Sequence, residues 1–306
     1  MFFLNFTDPT FINNPYPILK RLREEDPCHY SPLGFWFFTR FKDVYNLLHD
    51  DRFTHDHKNR MLKNHGEKAF EHDSIRYLSN SILLQNPPMH TQLRKIMAGF
   101  FMPSYISSQR EKLKGYIQEA MEPLLKKRSM DFVIDLTQPV LGHVICDILG
   151  IPLEERAPFL GKTCLSARTL DPAAVPPDTR KILDQEVANV YPYFQMLFAR
   201  KREKNAQPPT DLISHMVQVQ KNYPEITETA LIDNCLFIFA AGQEVTKCLM
   251  GNALIDFQQH PDQWQYLVNN PQVIDDSFDE ILRYSTSLQM THRLATLDVF
   301  FFSSRR

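Results

Sequence analysis

The chain has 306 residues, 43% of them hydrophobic and 23% charged, a mixture with ample material for a core. Lys+Arg 34 against Asp+Glu 36 leaves a net charge of -2, which argues against a protein that coats nucleic acid. Pro 21 against Gly 9 excludes collagen-like and glycine-linker readings.

No uninterrupted apolar stretch is long enough to suggest a membrane-crossing helix. The N-terminal Met-Phe-Phe-Leu-Asn-Phe lacks the basic stretch of a signal peptide, so a cytoplasmic protein with no membrane partner is expected. Cys28, Cys146, Cys164, Cys235 and Cys248 show no CxxC or CxxH spacing, so neither a disulfide framework nor a zinc site is indicated.

Residues 15–26 read as a surface helix with Tyr16, Leu19 and Leu22 on one apolar face, closed by Asp26-Pro27. The aromatic run 34–40 predicts a strand, and a helix follows over 41–49. Residues 52–86 are polar and weakly periodic and read as a long loop with broken helix, a length that is often functional. From 89 onward helix follows helix, with breaks at Pro103, Pro123, Pro139, Pro152, Pro158 and the 172–177 proline cluster. Segment 110–128 carries six basic against three acidic residues, either a solvated face or a docking face for an acidic partner.

The longest predicted helix runs from an N-cap at Thr227 to about Gln259. Its middle, Cys-Leu-Phe-Ile-Phe-Ala-Ala-Gly (235–242), is apolar on every side and predicts burial all round. Gln243, Glu244, Val245, Thr246 and Lys247 follow at once, and an acid in such a place must be satisfied or used. Glu244 either pairs with a neighbouring Arg or does chemistry; Gly242 either lets another helix close in or marks a kink. His90 and Arg94, spaced i and i+4, suit an anionic ligand or a plain surface pair. Glu280 and Arg283, spaced i and i+3, suit an internal ion pair.

In this order and at these separations the segments resemble a cytochrome P450 of the soluble bacterial type. The resemblance spans about residues 5 to 299. It rests on Asn-Pro-Tyr-Pro-Ile-Leu-Lys-Arg-Leu-Arg-Glu-Glu-Asp-Pro (14–27), Phe-Trp-Phe-Phe-Thr-Arg-Phe-Lys-Asp-Val (35–44), Asp-Arg-Phe (51–53) and Asn-Pro-Pro-Met-His-Thr-Gln-Leu-Arg-Lys (86–95). Ala-Ala-Gly-Gln-Glu-Val-Thr (240–246), Glu280-Ile-Leu-Arg283 and Arg293 complete it.

The resemblance implies a mainly α fold with a small β-sheet, incomplete at the C-terminus, with residues 1–299 a partial P450 domain. It implies a haem-thiolate monooxygenase that hydroxylates a small apolar substrate with O2 and two electrons. Haem b would be the cofactor, ferredoxin and ferredoxin reductase the electron donors, and the protein a monomer. His90, Arg94 and Arg293 would hold the haem propionates, Ala241 and Gly242 would line the oxygen groove, and Glu244 with Thr246 would deliver protons. Phe237, Ala240, Leu288, Gln289 and the 60–86 segment would contact substrate or simply pack, and Glu280–Arg283 would support the fold.

Two departures stand out. Val245 occupies the position where the family places a threonine, and Thr246 lies one 100° helical step further. None of the five cysteines lies in the family's FxxGxxxCxG context, so the chain supplies no metal ligand, and Phe-Phe-Phe-Ser-Ser-Arg-Arg (300–306) does not continue the family pattern. The chain therefore reads as an N-terminal fragment with a foreign tail, inactive and unstable by itself. The alternative reading is a P450-derived binding or scaffold protein without haem-thiolate chemistry.

Overall fold

The computed structural model describes residues 8–32, 34–55, 57–160, 175–204 and 208–299. The N-terminal residues 1–7, Cys164, residues 172–174 of the proline cluster and the 300–306 tail lie outside the described residues. The chain divides into two compact units, Met1–Asp56 with His292–Arg306, and His57–Thr291.

In the first unit α1 (Pro9–Asn13) starts at Asp8, whose carboxylate accepts from the Thr10 N–H at 2.7 Å. Helix α2 (Tyr16–Glu25) buries Leu22, while Tyr16, expected on the same apolar face, is exposed. The expected strand over 34–40 shortens to β2 (Trp36–Phe38), and it pairs antiparallel with β1 (Cys28–Tyr30), which periodicity had not marked. Gly34, at φ 85, makes the turn, and the Tyr30 and Trp36 rings meet across the strands at 5.0 Å. Helix α3 (Phe41–Leu48) matches expectation. Strand β3 (Phe53–Thr54) pairs antiparallel with β4 (Leu294–Ala295), joining the two stretches of this unit.

The second unit is helical. Residues expected as a loop instead form α4 (His57–His65), a 3-10 turn (Glu67–Glu71), α5 (Asp73–Asn80) and a 3-10 turn (Ile82–Leu84). The apolar pattern is weak there because α5 is held partly by buried polar bonds, which hydrophobic periodicity does not register. Helix α6 (Met89–Ala98) follows the cis Pro87–Pro88 bond, and α7 (Pro103–Ser108) begins on proline. Pro123 does not break the chain: α8 (Arg110–Lys127) carries it inside. A π-helical turn (Phe132–Thr137) leads into α9 (Gln138–Leu149), with Pro139 in its first turn, where a missing N–H costs nothing.

Gly150, at φ 72, ends α9, and a Cβ there would overlap Asp211. Leu153–Glu155 is a 3-10 turn, followed by α10 (Pro177–Lys204) and α11 (Leu212–Val219), the latter capped by Asp211. Helix α12 (Glu228–Gln259) runs uninterrupted through Gly242 from its Thr227 cap. Helices α13 (Pro261–Asn269) and α14 (Ile274–Tyr284) follow it.

The main core gathers Leu231, Ile232, Cys235, Leu236 and Phe239 of α12 with Ile145 and Leu149 of α9, Tyr77 and Leu78 of α5, Phe194 and Phe198 of α10, and Leu93 and Ile96 of α6. The expectation that 235–242 is buried on every side fails for Phe237, Ile238, Ala241 and Gly242, which are half-exposed. The segment Phe132–Leu149 is apolar and long enough to cross a membrane by composition. Its Val140, Ile145, Cys146 and Leu149 are core residues instead.

Candidate functional site

Helix α6 places His90 and Arg94 one turn apart on one face. His90 is half-exposed and Arg94 exposed, and among the described residues neither the imidazole nor the guanidinium has a hydrogen-bond partner. The opposite face of α6 is fixed: Leu93 and Ile96 are fully buried, and His215 of α11 reaches the Ile96 carbonyl through Nε2 at 2.9 Å. Gly99 leaves room for that imidazole, since a Cβ there would lie 3.2 Å from His215 Nε2. Two donors are thus held on a rigid helix with nothing in the second unit consuming them.

On α12, Ala241 and Val245 share a face, and Val245 is 43% exposed. Gly242 serves a different face: a Cβ on it would overlap Ile145 Cδ1, so the missing side chain lets α12 lie against α9. Thr246, four residues after Gly242, follows that packed face rather than the Ala241–Val245 face. Glu244 is satisfied within its own helix, by Lys247 Nζ at 2.8 Å and the Cys248 thiol at 3.8 Å, not by an arginine. Gln243 is buried and donates to the Phe239 carbonyl at 3.2 Å, while its Oε1 has no partner.

Phe237 is half-buried, Ala240 is buried, and Leu288 and Gln289 are exposed. Arg293, in the first unit, is half-buried and donates to the His292 carbonyl at 2.8 Å; burial pulls its guanidinium pKa down. Glu280 and Arg283 form the expected ion pair, bidentate at 2.6 Å, yet the side chains are 62% and 69% exposed rather than internal. The pair keeps the carboxyl below its ordinary range and the guanidinium above it.

Sequence reasoning missed the polar joint between α5 and α12. Asp233 is fully buried and accepts both bonds from Arg76 Nη1, at 2.9 and 3.0 Å, and one from Asn80 Nδ2 at 2.8 Å. Arg76 also bonds Asp73 at 3.1 Å and lies 4.9 Å over the Tyr191 ring of α10. Next along, Asn234 accepts the Ile82 N–H at 2.7 Å and donates to the Asn80 carbonyl at 3.1 Å. Asp184 of α10 completes the joint, accepting from the Ser74 N–H at 3.0 Å, Ser74 Oγ at 2.6 Å and His72 Nδ1 at 2.7 Å. Asp233-Asn234 ahead of an apolar run was the one available signal: two polar residues on the buried side of a core helix require partners.

Of the three surplus positive charges of segment 110–128, two meet acids from outside it, Lys127 with Asp135 at 3.7 Å and Lys112 with Asp147 at 3.8 Å, which favours the solvated-face reading. A cavity of about 400 Å³ between α8 and α9, lined by Tyr116, Leu124, Pro139 and His143, contains none of the candidate site residues.

The donor set fits part of a haem. His90 and Arg94 are unconsumed donors of the kind that propionates take, and the Ala241–Val245 face is small-residued and open. The described cysteines do not offer a thiolate: burial pushes the Cys146 thiol up to about 11, and raises Cys28, Cys235 and Cys248 as well.

No protein-family model matches the chain. Among curated proteins it is 28% identical over 287 residues to the polyketide biosynthesis cytochrome P450 PksS of Bacillus subtilis, covering 92% of this chain and 69% of that one. It is 26% identical over 296 residues to the biotin biosynthesis cytochrome P450 of the same organism, covering 94% and 71%.

Among solved structures, P450 RauA, complexed with a biosynthetic intermediate of aurachin RE, aligns with TM-score 0.80 and 28% identity over 97% of this chain and 75% of that one. P450BioI, in complex with a hexadec-9Z-enoic acid ligated acyl carrier protein, aligns with TM-score 0.83 and 25% identity over 97% and 75%. These relatives are haem b monooxygenases, and the likeness to them runs along nearly the whole chain in sequence and in structure alike. Along nearly its whole length the chain is similar to bacterial cytochrome P450s, in sequence and in fold.

Proposed function

We propose that this chain provides the propionate-binding and oxygen-side residues of a monooxygenase acting on an apolar organic molecule, with electrons delivered by a ferredoxin and its reductase. The observation that carries the reading is the pair of unconsumed donors, His90 and Arg94, on a helix otherwise locked into the core. When bound, haem supplies the activation of dioxygen.

The chain's own contribution is positional and electrostatic. Ala241 and Val245 present a small apolar surface that limits water, and Val245 brings no hydroxyl to it. Glu244 holds a proton-accepting carboxylate against Lys247, a half-exposed position suited to passing protons inward along the helix. Thr246 joins that path only through an intervening water, because it follows the Gly242 face. Phe237 and Leu288 offer apolar contact to substrate, and Gln289 a polar one. Ala240, being buried, contributes to the shape of the helix behind them. The apolar substrate class draws support from the molecules named with the relatives, a polyketide pathway and a hexadecenoyl group.

The test is a haemin titration of the purified chain followed by absorbance. The double variant His90→Ala, Arg94→Leu is expected to weaken haemin binding about tenfold or more, as loss of two charge-assisted bonds implies. Equal binding by both proteins would sink the assignment.

A further inference from the structure

The cavity between α8 and α9 has two irregular walls. Helix α8 carries Pro123 inside it, and the π-helical turn Phe132–Thr137 leads into α9, with Pro139 in its first turn. Proline has no N–H, so the Glu119 carbonyl, four residues before Pro123, lacks its usual helical donor. Glu119, Pro123, Asp135 and Pro139 all line the cavity, and Leu124 and Val140 add apolar surface. Its volume of about 400 Å³ falls within the range of small-molecule sites.

The aromatic part of the lining is held in place. Tyr116 and His143 stack with ring centroids 4.8 Å apart and planes 17° from parallel. Buried Arg156 donates to the Tyr116 hydroxyl at 3.1 Å and to His143 Nδ1 at 3.4 Å, and Tyr116 donates to Asp147 at 2.8 Å. A guanidinium only donates, so Nδ1 accepts and the imidazole proton sits on Nε2. Burial and the Arg156 charge pull the His143 pKa below its ordinary value, which keeps the ring uncharged at neutral pH.

The charge of the lining is therefore of one sign. Glu119 and Asp135 are its acids, and no lysine or arginine lines it. Asp135 accepts the Asp131 N–H at 2.9 Å and meets the exposed Lys127 only at 3.7 Å. The Glu119 carboxylate is exposed and has no hydrogen bond or ion pair among the described residues. Among those residues no three His, Cys, Asp or Glu side chains are placed to hold a metal ion, so the two acids do not form a metal centre.

We infer that this cavity binds an organic ammonium ion, a protonated amine on a flat apolar body, with Glu119 and Asp135 taking the charge and Tyr116 and His143 the body. An ammonium has three N–H donors, which two carboxylates and the Glu119 carbonyl can accept, and an aromatic face attracts a cation. An anion finds no donor cation in the lining, and a neutral molecule leaves both carboxylates unanswered. The site shares no lining residue with those assigned to haem and does not depend on it.

The probes are tryptamine, neutral tryptophol and anionic indole-3-acetate, which share one ring system, titrated calorimetrically into the full chain at pH 7. Tryptamine should bind about fivefold or more tighter than tryptophol, with indole-3-acetate weakest. Glu119→Gln should weaken tryptamine about fivefold, and E119Q with Asp135→Asn about tenfold or more, while tryptophol binds all three proteins alike. Ala120 also lines the cavity, so Ala120→Phe should fill part of it and remove tryptamine binding while the circular dichroism stays that of the natural chain. No tryptamine binding, equal binding of the three indoles, or tryptamine binding unchanged in E119Q overturns the inference. Full binding by A120F places the ammonium elsewhere and overturns it as well. Glu119 is exposed, so E119Q tests the charge even if D135N disturbs the π-helical turn.

Discussion

Gly242 and Val245 lie three positions apart on α12 and answer to different neighbours. Gly242 faces Ile145, so Gly242→Ala should destabilise the protein by about 1–3 kcal/mol, the usual range for overpacking a filled core. Denaturant unfolding measures this, and Ile145→Ala in the same chain should remove most of the further loss caused by the alanine. Val245 faces outward, so Val245→Thr would put a hydroxyl on the Ala241 face, where Thr246 cannot reach. In the catalytically competent protein that variant should raise product formed per electron pair consumed, read as the ratio of product to NADPH. An unchanged ratio would mean that Val245 does not face the oxygen side. The displacement of Thr246 was legible in the sequence because a helix fixes 100° per residue. The partner of Glu244 was not, since several nearby cations could have served and only folding selects Lys247.

Among the elements, α12, α2 and α6 were legible because their apolar spacing is helical and their ends carry Pro or a capping residue, and α3 from its apolar spacing alone. Helix α5 was not, because Arg76, Asp233, Asn80, Ser74 and Asp184 replace part of the apolar contact that periodicity detects. Burial raises the Asp233 pKa despite Arg76 and Asn80, so the joint is held against a desolvation cost. Asp233→Ala would leave Arg76 and Asn80 unsatisfied and should cost about 3–5 kcal/mol by denaturant unfolding, the range for breaking one side of a buried pair.

A second tether gives a pH signature. Glu155, bonded to Arg200 at 2.7 Å through both oxygens and to Tyr193, has its carboxyl lowered from 4.5 to about 2. Asp184 is lowered too, by its Ser74 and His72 bonds although burial opposes them. Both acids are more acidic folded than unfolded, so their stabilisation is complete above about pH 5 and drains away as pH falls through 4.5 toward 2. Melting temperature should fall across that window, and less steeply in Glu155→Gln; identical slopes would contradict the assignment.

Across the second unit, apolar exposure is uneven. The first half of α12 supplies core, whereas Met250, Leu254 and Ile255 of its second half are exposed, as are Trp264, Tyr266, Val268, Phe278 and Leu282 on α13 and α14. Such a concentration marks a surface that binds something apolar or associates. The chain should enhance the fluorescence of a hydrophobic dye, and Trp264→Ser with Phe278→Ser should reduce that enhancement. An enhancement untouched by the pair would place the sticky surface elsewhere. The likeness to cytochrome P450s was legible through motifs in order, yet the exposure of the Glu280–Arg283 pair depends on what packs over α14, which local spacing does not encode.

The joint between α5 and α12 also bears on how the protein opens. A helix of eight residues held by apolar contact alone would fray independently, but α5 donates to Asp233 of the spine and Asp184 of α10, and its Asn80 carbonyl accepts from Asn234. Releasing it exposes buried charge on all sides at once. Backbone amides of α5 should therefore exchange with solvent deuterium at the slow rate of residues 231–240, as one cooperative unit. Opening of α5 then depends on the stability of the spine itself, so mutations deep in α12 would speed exchange of the α5 amides without touching that helix.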